Sequence, residues 1–362
     1  MKKTETDNKC PNCGSQLQYD SETKNLKCIS CRSLFDIESF GSGDLDEEEQ
    51  DYYKMLSELK EKQLTKKVVS SLSCKNCGAS LRHDDNTTST ACPFCGSNYV
   101  IETNLEEEVI PISGIIPFSV SKEECNLQFH NWIKHKFFVP SRFKKSQFAL
   151  DIHPVYLPFW TFDMNCYTKY RAKRGDHEYI IVRKKDAEGR EVIDRKRVTH
   201  WSYRWGVCNN NFDDIMVLGS KDQKNRYYIN KACNFNFNEM EKFNSDFLVG
   251  YSSEKISLSL EDGFNRAREI IAPQIEKTIE YDVGGDEVRI LSYHTKYEDI
   301  TFKQILVPMY NGIYDYNGRK YAFVMNGQTS KFAGGCPISW VKVMAFVFII
   351  VLIVAIVAIL FI

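Results

Sequence analysis

Eight of the chain's thirteen cysteines fall into two sets with a single spacing. Cys10, Cys13, Cys28 and Cys31 read C-x2-C-x14-C-x2-C, and Cys74, Cys77, Cys92 and Cys95 repeat that spacing in the same register. Gly14 and Leu17 move with them onto Gly78 and Leu81, which marks a duplicated module. Each C-x2-C knuckle turns tightly enough to aim two thiolates at one ion, and the intervening hairpin returns the second pair. A module this short cannot build a hydrophobic core, so the metal takes the place of one. The spacing predicts two small β modules of the zinc-ribbon type, each with one structural Zn2+. Four filled thiolate positions leave no open site for catalysis. Disulfides would need an oxidising compartment, and MKKTETDNKC at the start offers no apolar leader. A redox dithiol would be a single C-x2-C beside a βαβ unit. Iron–sulfur clusters also use four thiolates, and the spacing alone does not separate them from zinc.

At the other end, Val343 to Ile362 runs VMAFVFIIVLIVAIVAILFI, without a charge, a polar side chain, Gly or Pro. Twenty residues of helix span about 30 Å, the thickness of a bilayer's hydrocarbon core. The run is apolar on every face, which a core helix is not. Trp340 and Lys342 sit where an interfacial ring and a snorkelling cation belong. A single-span tail anchor over 341–362 is expected, with the bulk of the chain in the cytoplasm. Lys320, Lys331 and Lys342 precede the run and nothing positive follows it.

The remainder divides into a first cysteine module (1–40), an acidic linker with a short helix (41–71), a second module (72–103) and an α+β domain (104–338). Tyr52, Met55, Leu56 and Leu59 recur at helical spacing in the linker. In the α+β domain Ser121 with Glu124, and Ser259 with Asp262, form N-terminal capping boxes. Pro273 is expected to kink or end the second helix. Strands are expected over 155–171, 178–185, 191–205, 213–218, 287–298, 301–315 and 319–325, with a tight hairpin at Asn317-Gly318. PFSVSKEE (117–124) and KISLSLED (255–262) each lead into a helix, then an extended Leu157-Pro158-Phe159-Trp160 or Val307-Pro308-Met309-Tyr310. The two offsets, 138 and 150, hint at two similar half-domains.

Catalytic constellations do not emerge. The seven histidines form no HExxH pair, and no Walker loop, G-x-S-x-G elbow or G-x-G-x-x-G is present. Asp151/Asp163 and Asp213/Asp214 are read as solvated or turn-capping carboxylates. Cys125, Cys166, Cys208 and Cys233 read as core, and Cys336 as a loop cysteine. The cysteine modules are slightly acidic: residues 7–40 hold four Lys/Arg (9, 24, 27, 32) against five Asp/Glu (7, 20, 22, 36, 38). That balance disfavours phosphate binding by either module. Residues 169–204, by contrast, hold twelve Lys/Arg and six Asp/Glu, with Trp201, Tyr203 and Trp205 alternating onto one strand face. This is expected to be an exposed hairpin whose aromatic face joins the core; anionic lipid beside the anchor, or RNA, is the other use for it.

IPFSVSKEEC (116–125), VYLPFWTFD (155–163), FDDIMVLGS (212–220), LVGYSSEKISLSLEDGF (248–264) and NGQTSKFAGGCPIS (326–339) resemble a bacterial family of tail-anchored double zinc-ribbon proteins. Its members are often labelled TFIIB-type zinc ribbon-containing, and some primosomal protein N′. The family pattern has Gly where this chain has Ser330. The resemblance implies a non-enzymatic membrane-docked adaptor that recruits a soluble partner, SPFH/flotillin-like or PspA-like, in envelope stress. The alternative is a membrane-tethered nucleic-acid protein of the replication or transcription type, although no Walker motif supports a helicase.

Overall fold

The computed structural model describes residues 9–37, 49–61, 110–145, 150–185, 191–220 and 225–360, with the backbone of three further strands inside 67–107. The first cysteine module carries β1 (Leu17–Asp20), β2 (Asn25–Cys28) and β3 (Leu34–Phe35) in a three-stranded sheet. β4 (Gln50–Asp51) leads into α1 (Tyr52–Glu61). β5 (Lys67–Cys74), β6 (Ser80–Arg82) and β7 (Val100–Glu107) form a second three-stranded sheet, ordered β6-β5-β7. Cys77, Cys92 and Cys95 lie outside the described residues, as does the side chain of Cys74.

From Ile110 onward the chain is mainly β. In order come β8 (Gly114–Ile115), α2 (Lys122–Lys134), α3 (Ser141–Lys145), β9 (Asp151–Lys185), β10 (Glu191–Leu218), α4 (Arg226–Ala232), β11 (Glu241–Lys242), β12 (Ser252–Ser253), α5 (Leu260–Val283), β13 (Glu287–Tyr316), β14 (Arg319–Asn326), β15 (Phe332–Gly334) and α6 (Trp340–Leu360). β10-β9-β13-β14-β15 make the body of a nine-stranded sheet. The separate strand pieces expected from the pattern fuse into strands of 35, 28 and 30 residues. The hairpin at Asn317-Gly318 is present, both residues having positive φ (53° and 74°) as its turn requires.

Strand alternation places α2 and α5 on one face. Tyr156, Trp160, Phe162 and Tyr310 point to α2 and α5, and are buried in two clusters beneath them. Val155, Leu157, Phe159 and Val307 point the other way, into a third cluster closed by Ile229 and Ala232 of α4. Both helices start as the capping boxes predict: Ser121 Oγ accepts from Glu124 N–H and Ser259 Oγ from Asp262 N–H, each at 3.2 Å. Pro273 neither ends nor divides α5, which runs on to Val283 as one helix of 24 residues. Beyond the proline, Ile275, Ile279 and Val283 are buried on the sheet. Burial at about 1.5–3 kcal/mol per side chain outweighs a proline penalty of about 3 kcal/mol.

Contacts around the centre of the sheet recur at the two offsets seen in the sequence. β9 and β13 pair antiparallel with Leu157 opposite Val307. β12 runs parallel to β9 at Val155–Tyr156, and β8 runs parallel to β13 at Ile305–Leu306. Glu254 N–H donates to Tyr156 O and Ile116 N–H to Leu306 O, both at 2.9 Å. Leu258 N–H reaches Gly219 O at 2.9 Å, and Val120 N–H reaches Gly327 O at 3.0 Å, the donors at offset 138 and the acceptors at a third offset, 108. Trp160 Nε1 donates to Leu258 O (3.1 Å) just as Tyr310 Oη donates to Val120 O (2.7 Å). Each helix therefore packs on the hairpin that follows the other helix.

The linker and first module are seated on this sheet and do not stand apart. Tyr52 packs on Phe162 and Phe264, with ring centroids 6.4 and 4.6 Å away. β4 pairs with β13 at Thr301–Phe302. Glu49 meets the buried Lys303 at 3.2 Å, which gives that ammonium its counter-charge.

Candidate metal centre

The first four-cysteine set is built from two knuckles with the same backbone bonds. Gly14 N–H donates to Cys10 O (2.8 Å) and Cys10 N–H to Ser15 O (2.6 Å). Arg32 N–H donates to Cys28 O (3.1 Å) and Cys28 N–H to Ser33 O (2.9 Å). The residue after the second cysteine of each knuckle is left-handed, Gly14 at φ 72° and Arg32 at φ 61°. Only Gly14 adopts that conformation without a Cβ penalty. These turns gather the four Sγ atoms within 4.8 Å of one another. Cys10 and Cys31 sulfurs are 3.6 Å apart, and those of Cys13 and Cys28 3.4 Å. An ion bound tetrahedrally at about 2.3 Å from sulfur sets neighbouring sulfurs about 3.8 Å apart, so the cage fits a metal ion with small adjustment. The all-sulfur donor set suits zinc or iron.

Hydrogen bonds already favour the thiolate at Cys28 and Cys31. The Ser33 hydroxyl, 3.2 Å from Cys31 Sγ, and then the Ser33 N–H draw the Cys31 thiol down to about 6. Burial raises Cys28, but the N–H groups of Cys31 and Ser30 bring it below its ordinary value. Ser15 N–H lowers Cys13, yet proton sharing with Cys28 and Cys31 outweighs it and lifts that thiol to about 11.

Tyr19, midway between the knuckles, docks the module. It is 1% exposed, with Phe247 and Tyr251 edge-on at 5.5 and 6.0 Å. Its N–H donates to Val249 O at 3.0 Å and its hydroxyl to Phe118 O at 3.3 Å. Residues 243–251 gave no sequence signal for this seat, because their aromatics fit a core equally well.

At the opposite extreme, α6 is long and apolar enough to cross a membrane from Trp340 to Ile359, and no part of that span is buried. Lys342 does not reach outward as expected. Its ammonium donates to Val139 O at 2.7 Å, and Phe346 meets Phe138 at 5.5 Å, so the base of α6 is tied to the loop between α2 and α3. Cys336 is half-buried against the α2 cluster, and burial raises its thiol.

Of the two carboxylate pairs, Asp151 and Asp163 separate while Asp213 and Asp214 stay together. Asp151 lies twelve residues along β9 from Asp163, about 40 Å of strand, and contacts His153 at 2.8 Å. Asp163 instead joins Asp213 and Asp214, their carboxylates within 4.8 Å, beside an open cavity of about 310 Å³ that Glu49 and Asp299 also line. Asp163 Oδ1 accepts from Asp214 N–H at 2.5 Å, holding the β-bulge between Phe212 and Ile215 where Asp214 has φ 51°. Burial, then the adjoining Glu49 carboxylate, raises Asp163 to about 7. Burial also works against the Glu49 carboxylate, but hydrogen bonds from Asp163, Thr301 and Lys303 prevail and hold it below its ordinary value. Below about pH 7 the proton of this pair is therefore held by Asp163. These bonds make the cluster a clamp on the bulge.

The basic hairpin also departs from expectation. Trp201, Tyr203 and Trp205 lie on the face opposite α5, and Tyr203 and Trp205 are 55% and 68% exposed. The core face of this ribbon is the alternate one, where Tyr170 donates to Asp282 of α5.

A Bacillus subtilis (strain 168) protein, Uncharacterized protein YdjG, is 32% identical to this chain over 339 residues, covering 93% of this chain and 92% of YdjG. The chain belongs to the YdjG family. No family model and no solved structure matches it. At 93% of the chain the match is far longer than a metal module alone.

Proposed function

We propose that this YdjG-family protein is a non-enzymatic, membrane-anchored adaptor, in which both four-cysteine modules hold structural Zn2+ and α6 fixes the chain to the cytoplasmic face of the cell membrane. Its cargo is a soluble protein partner, of the SPFH/flotillin-like or PspA-like class that the family resemblance implies. The observation that carries the reading is the closed four-thiolate cage at Cys10, Cys13, Cys28 and Cys31, seated by Tyr19 on the same sheet whose last strand leads into α6. A cage with no open position offers structure and surface, not reactivity. For the second set, Cys74, Cys77, Cys92 and Cys95, the support is the repeated spacing and the strand pairing around it. The recurring contacts at offsets 138 and 150 support a duplicated origin for the sheet domain, with the two half-domains exchanging helices.

Metal analysis of the purified protein should return two zinc ions per chain; zero or one overturns the duplicated site. Pull-down of the detergent-solubilised full chain should recover a soluble partner, and Cys13→Ser or Cys77→Ser should abolish its capture. Undiminished capture by both variants would sink the adaptor reading of the cysteine modules.

A further inference from the structure

The ribbon at the far end of the sheet has two chemically unlike faces. β13 begins opposite Gly175, and α5 ends at Val283, so beyond these points β9 and β10 continue as an uncovered two-stranded ribbon. Residues directly opposite in an antiparallel pair share a face. On the face away from α5, between 167 and 183 of β9 and 193 and 209 of β10, every charged position is Lys or Arg: four on β9 (169, 171, 173, 183) and two on β10 (195, 197). The carboxylates of these stretches, Asp176, Glu178 and Asp194, are all on the other face. Cations alternate with rings and aliphatics across the strands: Arg171 opposite Trp205, Lys173 opposite Tyr203, Arg195 opposite Ile181.

The rings form a platform. Trp201 lies across Gly175, where an added Cβ would come within 3.1 Å of the indole, and Arg289 covers it at 4.1 Å. Tyr203 and Trp205 continue the row, 6.3 Å apart and 23° from parallel, each open to solvent. A row of cations interleaved with exposed π faces suits a polyanion that carries planar groups. We propose that this face binds single-stranded nucleic acid, with Lys and Arg on phosphates and Tyr203 and Trp205 stacking on bases. This goes beyond the adaptor role. Lys173 lies 4.8 Å over the Tyr203 ring, and an acidic peptide would answer the cations but leave the outer face of Trp205 uncovered. A bilayer crossed by α6 is out of reach: the chain leaves the sheet for α6 near Gly335, bonded to Ala322 and Tyr314, at the Asp151 end of β9. The rings lie opposite residues 171–175, about 65–80 Å of strand away.

The test is fluorescence anisotropy of the full-length protein in nanodiscs with labelled oligo(dT) and oligo(U) of about 20 nucleotides, titrated at several salt concentrations. Binding should weaken steeply with salt and quench tryptophan emission. Trp205→Ala should lower affinity about tenfold or more, and Lys173→Gln should reduce the salt slope by about one. Both side chains contact solvent, and unchanged thermal unfolding confirms that the variants fold. No binding at low salt, wild-type affinity in Trp205→Ala, or equal binding of poly-L-glutamate would each overturn the proposal, the last pointing to an acidic protein surface. Binding only to anionic vesicles overturns it in favour of lipid.

Discussion

Under α2 the sheet offers Tyr310, whose hydroxyl reaches Val120 O, and the helix answers with Cys125 and Phe129, both fully buried. Under α5 the corresponding ring is the larger Trp160, reaching Leu258 O, and the helix answers with Gly263 and Ala267. Where the strand's side chain grows, the helix's shrinks. Backbone bonds are kept on both sides while volume is traded across the interface, as close packing demands of two cores built on one frame. The sides also differ in reach. α2 has 13 residues and α5 has 24, matching a short hairpin and a long one. Even α5 leaves the end of the long hairpin bare beyond Gly175.

That comparison can be broken most strongly at Phe129. Phe129→Ala empties the α2 side, where no large strand residue compensates, and should cost about 3–5 kcal/mol in chemical denaturation. A loss under about 1 kcal/mol would refute the volume trade. On the α5 side the opposite change is the sensitive one. A Cβ on residue 263 would meet Trp160 Cδ1 at 2.8 Å, so Gly263→Ala should destabilise by about 1–3 kcal/mol. Combining Gly263→Cys with Trp160→Tyr, which imitates the α2 side, should cost less than the two changes summed in a double-mutant cycle.

Asp163 has no acidic counterpart on the α2 side, where the position 150 residues on is Ile313. Its raised pKa makes a stability contribution that is full below the unfolded value near 4 and lost as pH rises through about 7. Asp163→Asn, which keeps the protonated shape, should flatten that window. At pH 8 it should be the more stable form by about 1–2 kcal/mol, a figure reduced for solvent screening because the site is partly open. Equal slopes for the two proteins between pH 4 and 7 would dismiss the shared proton. The smallest effect is expected at Ser330, which stands at φ 58°. Ser330→Gly should raise stability by up to about 1 kcal/mol, read as a small increase in Tm.

Local signals carried well from sequence to structure. Ser121 and Ser259 cap their helices, Asn317-Gly318 turns its hairpin, and Cys10 to Cys31 converge, because each depends on residues close along the chain. What failed was decided at long range. Pro273 reads as a stop locally, but the sheet beneath Ile275 and Ile279 overrides it. Alternation identified Trp201, Tyr203 and Trp205 as one face, yet not which face α5 would cover, since Tyr170 and Ala172 offer an equally apolar alternative. The linker helix was legible at Tyr52 and Leu56, whereas its seat on Phe162 and Phe264 lies a hundred residues away and more. The offsets 138 and 150 were visible, but exchange of helices between hairpins leaves no trace in periodicity.

The docking of Tyr19 sets a clock on synthesis. All four thiols of the first module have been made by residue 31, while the carbonyl that receives Tyr19 N–H belongs to Val249, 218 residues further on (249 − 31). At about 5–20 residues per second, the module waits roughly ten to fifty seconds with its docking face uncovered. Its thiols can meet metal or oxidant throughout that interval, before the rest of the protein exists to shelter them.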